Sequence, residues 1–279
     1  MRISVARGAL LLVIGALAAG AAHAETVFIT GANSGIGLEF ARQYAARGWT
    51  VITTHRRKDT PQSLADLSAK YPGKIQIERL DVTSPEEAAA LATKLKDVPF
   101  DVLVNNAGVY NDRSKCKAED DFCPGDWTTQ TFGKMDYKLL DTIMAVNIKG
   151  PLVVSQAFYP NVLAGKQKKI ANISSSNGTL TGEKKPRAGT IYYRMSKAAL
   201  NREMQIVAAS VEKDGVTVLM LNPGPTLTEH QMYLKEGSSF SKDMLTVDFT
   251  VRNMINTIEK ATLADTGKFL KYDGQTEPW

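Results

Sequence analysis

The chain has 279 residues, 43% of them hydrophobic, with a formal net charge of +5 and two cysteines. That is enough apolar material for one sizeable α/β domain, whereas two domains would each be thinly cored. Arg2 and Arg7 lie in a leading segment without acidic residues, so losing that segment takes the charge from +5 to +3; an excess this slight, scattered and without a nucleic-acid motif argues against a nucleic-acid partner.

Residues 1–24 carry Arg2 and Arg7, an apolar stretch at 8–22 and the small-x-small triplet Ala22-His23-Ala24, the pattern of a cleavable secretory signal. Cleavage after Ala24 would leave no stable membrane anchor and place the protein in the periplasm or outside the cell. The stretch is shorter than the roughly 20 residues a spanning helix needs, and the arginines are not adjacent, so no twin-arginine signal is present. The competing reading is a misassigned start site ahead of a cytoplasmic domain that begins near Glu25.

From Glu25 onward, short β-branched runs alternate with longer amphipathic stretches. A strand at 26–30 runs into Gly31-Ala32-Asn33-Ser34-Gly35-Ile36-Gly37, and a helix is expected at 35–47. Backbone N–H groups at a positive helix end can face a pyrophosphate, with the glycines allowing close approach. The spacing differs from the commonest dinucleotide fingerprint, so the strand-turn-helix setting carries the reading. The strand at 50–54 ends in His55-Arg56-Arg57-Lys58, with no acid to receive ribose hydroxyls. Arg56, helped by Arg57 or Lys58, can instead clamp a ribose 2′-phosphate, which favours NADP over NAD; a solvated basic loop is the plainer alternative.

A helix at 61–70 and a strand at 74–78 lead to Asp81-Val82, and a helix at 85–96 has Ser84 as its N-cap with Pro85 in its first turn. The strand at 102–105 ends in Asn105-Asn106-Ala107-Gly108. The polar stretch 110–134 holds Cys116 and Cys123, which can close a short disulfide loop in an oxidising compartment. Zinc is disfavoured because His23, His55 and His230 are far apart; His55 and His230 read as surface or packing residues. There follow a helix at 135–163 containing Asn147, a strand at 169–174 with Ser175 and Ser176 just after it, a helix at 193–213, a strand at 216–221, Pro223-Gly224 with Thr228 beyond, a helix at 246–261 and a strand at 268–271. Seven strands so interleaved predict a single-domain, Rossmann-type doubly wound parallel sheet with helices on both faces. The long connections 110–134 and 225–244 leave carboxyl ends of strands, where ligands sit in such sheets, and are read as pocket wall and lid; structured insertions without function are the alternative.

Tyr193 and Lys197 stand four apart, on one face of a helix. A carbonyl reduction needs a proton as well as a hydride, and an ammonium beside a phenol lowers a pKa that is ordinarily about 10. Tyr192 has no lysine four residues on. Together, the glycine turn, Asp81-Val82, Asn105 to Gly108, Asn147, Ser175, Tyr193 and Lys197 resemble the short-chain dehydrogenase/reductase family over essentially all of the chain after residue 24. The resemblance implies roles: Asp81 and Val82 at the adenine end; Asn105, Ala107 and Gly108 beside the cofactor; and Pro223, Gly224 and Thr228 at the nicotinamide carboxamide. It further implies Tyr193 as acid/base, Lys197 as its activator and ribose holder, Ser175 orienting the substrate oxygen (Ser174 and Ser176 being alternatives), and Asn147 holding a relay water. The stretch 193–201 and the ending 269–279 are similar to the carbonyl-reductase branch that includes the Sniffer and C-factor proteins. The gap from Ser175 to Tyr193 is several residues longer than is usual in the family, with 181–186 as the extra residues.

These features imply an NADPH-dependent reductase of a small-molecule carbonyl. A dinucleotide-sensing or signalling protein of the same fold in the periplasm is the alternative. The resemblance also implies a homodimer or homotetramer paired through the helices that carry Asn147 and Tyr193.

Overall fold

The computed structural model describes residues 24–112, 125–181, 188–229 and 244–279. Cys116, Cys123 and His230 lie outside them, as does the leading segment up to residue 23. The strands β1 (Thr26–Ile29), β2 (Thr50–His55), β3 (Ile75–Arg79), β4 (Val102–Asn105), β5 (Lys169–Ile173) and β6 (Thr217–Asn222) share one sheet with the last strand, β9 (Phe269–Lys271). The strand order is β3-β2-β1-β4-β5-β6-β9, and every pairing is parallel. Two short strands, β7 (Thr226–Leu227) and β8 (Leu245–Thr246), pair with each other and bring together the ends of the connection after β6.

The alternation of side chains along each strand builds two apolar layers. Val27 and Ile29 of β1 point toward α1 (Gly35–Ala46), α2 (Gln62–Lys70) and α8 (Val247–Lys260), where Phe40, Tyr44, Leu64, Met254 and Ile258 are buried. Phe28 points the other way, stacking on Phe100 and Phe158 with ring centroids 5.1 and 4.5 Å away. That layer is closed by α3 (Pro85–Lys94), α5 (Gly150–Ala157), α6 (Tyr159–Ala164) and α7 (Ile191–Val211). Because β1 pairs β2 on one side and β4 on the other, the chain reverses direction across the sheet between β1 and β4, and a crevice opens at their carboxyl ends.

One long helix was expected at 135–163, and the structure corrects this. The segment is α4 (Tyr137–Met144), a π-turn over Ala145–Lys149, then α5 and α6. Pro151 and Pro160 fall in the first turns of α5 and α6, where a missing N–H is tolerated, and Gly150 N–H reaches back five residues to the Ala145 carbonyl. The seventh long helix also begins two residues early, at Ile191.

Candidate active site

The glycine turn is shaped by contact with the end of β4. Gly31 has φ +62°, and a Cβ there would lie 2.9 Å from the Ala107 Cα; a Cβ on Gly37 would lie 2.3 Å from the Asn106 amide nitrogen. That amide donates to the carbonyls of Thr30 and Gly31 at 3.0 and 2.9 Å, and the Thr30 hydroxyl accepts from the N–H groups of Asn106 and Ala107. Asn106 therefore ties the turn to the neighbouring strand. Its neighbours Asn105, Ala107 and Gly108 were expected at the site and Asn106 was not, because its partners lie 75 and 76 positions away in the chain.

The first-turn N–H groups of α1, on Gly35, Ile36 and Gly37, have no partner within the helix. Gly35 N–H donates to the Glu229 carboxylate at 2.5 Å. An anion thus already sits at this positive helix end. It arrives with Thr228, whose methyl would lie 3.5 Å from a Cβ on Gly35. Ile36 packs its side chain on the core, and the Asn33 carbonyl accepts from Ser63. Ser34 occupies the N-cap position of α1.

Several assigned residues have their side chains committed elsewhere. Asn105 is buried and donates to Ser155 and Asn172 at 2.9 and 2.8 Å, so it braces β4 against β5 and α5 rather than facing the crevice. Val82 belongs to the core and presses on Gly150. Burial favours the neutral form of Asp81, yet the Thr83 N–H and hydroxyl, with Arg56 and Arg79 nearby, bring its carboxyl below the usual range. Arg56 itself is exposed at the end of β2, while His55 is buried, its imidazole held below its ordinary value by burial. Pro223 and Gly224 form the turn after β6, where both carbonyls accept from the Thr226 hydroxyl.

The remaining residues converge at the carboxyl ends of β4 and β5. Ser175 lies beside Tyr193, close enough for its side chain to favour the ionised form of the phenol. Ser174 is buried and bonded to Asn201, and Ser176 is exposed, so neither has the placement of Ser175. Lys197 is buried; its Nζ donates to the Ile173 carbonyl at 2.8 Å and lies 5.6 Å from the Tyr193 ring centroid. Asn147, fully buried in the π-turn, accepts from Val109 N–H and donates to the Val109 carbonyl and to Ser196. Ser196 in turn donates to the Tyr193 carbonyl. Tyr192 points into a separate apolar cluster with Leu139 and Ile143. The Gly108 Cβ position would be 3.5 Å from Asn147 Oδ1 and 3.9 Å from Lys197 Nζ, so the β4 turn, the π-turn and α7 meet at one point.

The electrostatics correct one expectation. Lys197 was expected to lower the Tyr193 pKa, but burial pushes the phenol up to about 12, against the opposing influence of Ser175, with Tyr110 adding to the rise. Burial likewise brings Lys197 down to about 8. Desolvation outweighs mutual help, with the ammonium over the ring, 5.6 Å from its centroid, and bonded to the Ile173 carbonyl.

The family model described as short chain dehydrogenase matches residues 25–239. The chain belongs to the short-chain dehydrogenase/reductase family. An NADPH-bound carbonyl reductase from chicken fatty liver superposes with a TM-score of 0.77 at 28% identity, over 92% of this chain and 100% of that one. An NADP-bound short-chain dehydrogenase/reductase of Burkholderia multivorans gives 0.71 at 27%, with the same coverage. The 1-hydroxy-2-glutathionyl-2-methyl-3-butene dehydrogenase of a Rhodococcus species is 29% identical over 91% of this chain and its own whole length. This short-chain dehydrogenase/reductase thus has family relatives of matching length.

Two predictions follow from the charges at this site. Glu229 holds the helix end that a pyrophosphate would need, so Glu229→Gln should tighten NADPH binding roughly three- to tenfold; an unchanged or weaker Kd by fluorescence titration contradicts this. Between its folded value near 8 and its ordinary 10.5, Lys197 has released a proton that the unfolded chain still binds, so its penalty on stability shrinks as pH rises through that window. Urea unfolding should find Lys197→Met more stable than the parent at about pH 7, with the gap narrowing by about pH 9.5, before the Tyr193 phenol titrates.

Proposed function

We propose that the protein is an NADP(H)-dependent carbonyl reductase in which Tyr193 is the proton donor. The observation that carries this reading is the convergence of Ser175, Tyr193 and the buried Lys197 at the same sheet edge as the glycine turn. The turn suits a dinucleotide: Gly31 and Gly37 let it pack tightly against the end of β4, and the end of α1 already accepts a carboxylate. The Arg56 guanidinium near Asp81 suits a 2′-phosphate, and NADP(H) is what the chicken and Burkholderia proteins hold.

When bound, NADPH supplies the hydride. Ser175 hydrogen-bonds the substrate carbonyl oxygen and aims it at Tyr193, whose phenol, favoured in its protonated form by burial, gives up its proton to that oxygen as negative charge develops there. Lys197, still largely protonated at neutral pH, stabilises the phenolate left behind and passes a proton back toward it. The Asn147 side chain is spent on Val109 and Ser196, so it positions the start of α7, and a relay water would be held by main chain of the π-turn. The substrate is an aldehyde or ketone that reaches the half-exposed Tyr110 ring beside Tyr193. The leading segment supports export of this enzyme, with Glu25 as its mature N-terminus.

A panel of aldehydes, ketones and quinones assayed with NADPH and NADH in parallel should give turnover with a preference for NADPH. Tyr193→Phe should lower kcat by about a thousandfold or more while leaving the NADPH Kd within about twofold; a fully active variant overturns the mechanism. N-terminal sequencing of protein recovered from an exporting host should begin at Glu25, and an intact Met1 or a purely cytoplasmic product overturns the export reading.

A further inference from the structure

α7 starts without a cap of its own. Thr190 takes a left-handed conformation (φ 49°, ψ 37°) and its side chain bonds no first-turn N–H. An N-cap side chain ordinarily accepts from the second or third helical residue, and the third residue here is Tyr193. Its N–H donates instead, at 3.0 Å, to Oε1 of Gln130, which is 63 positions earlier in the chain.

Gln130 is fully buried at the end of a 3₁₀ turn, Thr128–Gln130, in the connection after β4. Its Nε2 donates to the Tyr110 carbonyl at 2.6 Å and to Asn111 Oδ1 at 3.4 Å. These partners fix the orientation of the amide, because an N–H can only donate and a carbonyl can only accept. One side chain thereby joins the main chain of Tyr193 to the main chain of Tyr110. The two rings also touch edge to face, with centroids 4.5 Å apart and planes at 74°. The same connection returns on itself through paired N–H and carbonyl groups of Asp112 and Asp126, so Gln130 hangs from a braced base.

We propose that Gln130 is a positioning residue for proton transfer: it supplies the missing helix cap from outside α7 and so fixes where the Tyr193 phenol stands relative to Ser175 and to the Tyr110 ring. This rests on the reading of Tyr193 as proton donor. A buried glutamine that only held the loop would leave the chemistry of Tyr193 untouched. A first-turn residue deprived of its cap is free to fray, and proton transfer is sensitive to displacements of an ångström or less.

The test compares the full chain with Gln130→Met, which keeps the volume and removes all three side-chain hydrogen bonds. We expect a kcat lower by about tenfold or more with NADPH Kd within about twofold of the parent, faster hydrogen exchange of the amides at 191–195, and a shifted Tyr193 resonance in ¹³Cζ-tyrosine spectra, assigned by Tyr193→Phe. A folded Gln130→Met with parental kcat, exchange and resonance overturns the proposal. Should Gln130→Met not fold, Gln130→Glu keeps the acceptor for Tyr193 but turns a carboxylate toward the Tyr110 carbonyl. The alkaline limb of its kcat profile, or the Tyr193 titration read by NMR, should then move to higher pH, and an unmoved profile overturns the proposal. If the parent turns over no carbonyl, the reductase reading fails on its own; the exchange and resonance measurements still decide the role of Gln130.

Discussion

An ammonium held out of water is the constraint around which this molecule is arranged. Among the described residues Lys197 Nζ has one hydrogen-bond partner, the carbonyl at the end of β5, and it lies over the Tyr193 ring. Burial of a charge with so little compensation costs stability, and the lowering of its pKa to about 8 expresses that cost. The phenol beside it is disfavoured as an anion for the same reason. The two apolar layers of the sheet supply the stabilisation that offsets this local deficit.

The parallel sheet explains why the groups meet. β4 and β5 are neighbours in register from Val102 and Lys169 onward, so their carboxyl ends deliver the Asn106 turn and Ser175 to the same edge. The π-turn widens the α4–α5 helix at that level and turns Asn147 inward, where it clasps Val109 on one side and Ser196 on the other. Ser196 bonds back to the Tyr193 carbonyl. The first turn of α7 is therefore held by the β4 connection through Gln130 and by the π-turn through Ser196, and the phenol inherits the stiffness of both.

What was legible in the sequence was what depends on local chemistry. The alternation of β-branched runs with amphipathic stretches gave the seven strands, and a strand-turn-helix glycine cluster gave the dinucleotide turn. Ser175 and Tyr193, chosen by pattern, lie side by side. What was illegible depends on partners distant in sequence. Asn106 acts through carbonyls 75 and 76 positions away, and Glu229 through an N–H 194 positions away; no period or spacing encodes such pairs. The unbroken helix expected at 135–163 failed for a different reason. Its apolar periodicity is genuine, but Pro151 and Pro160 start new helices, and a π-turn adds one residue to a cycle without changing composition. The direction of the Tyr193 shift was missed because spacing places a lysine on the same helix face but says nothing of which atom its ammonium approaches.

The distribution of destabilising groups bears on whether the fold is used for turnover or for binding alone. A protein that only senses a dinucleotide needs the glycine turn, a cationic clamp and the cover that Thr228 and Glu229 provide at the end of α1. None of these requires an ammonium and a phenol buried side by side about the end of β5, away from that turn. Tyr193 and Lys197 add nothing to phosphate recognition; burial keeps the phenol protonated and disfavours the ammonium beside it. In a marginally stable fold such groups are a net liability unless they act. A phenol that keeps its proton in the resting site and yields it only when charge develops on a neighbouring oxygen is the requirement of an acid catalyst, and the same burial that destabilises the fold creates it.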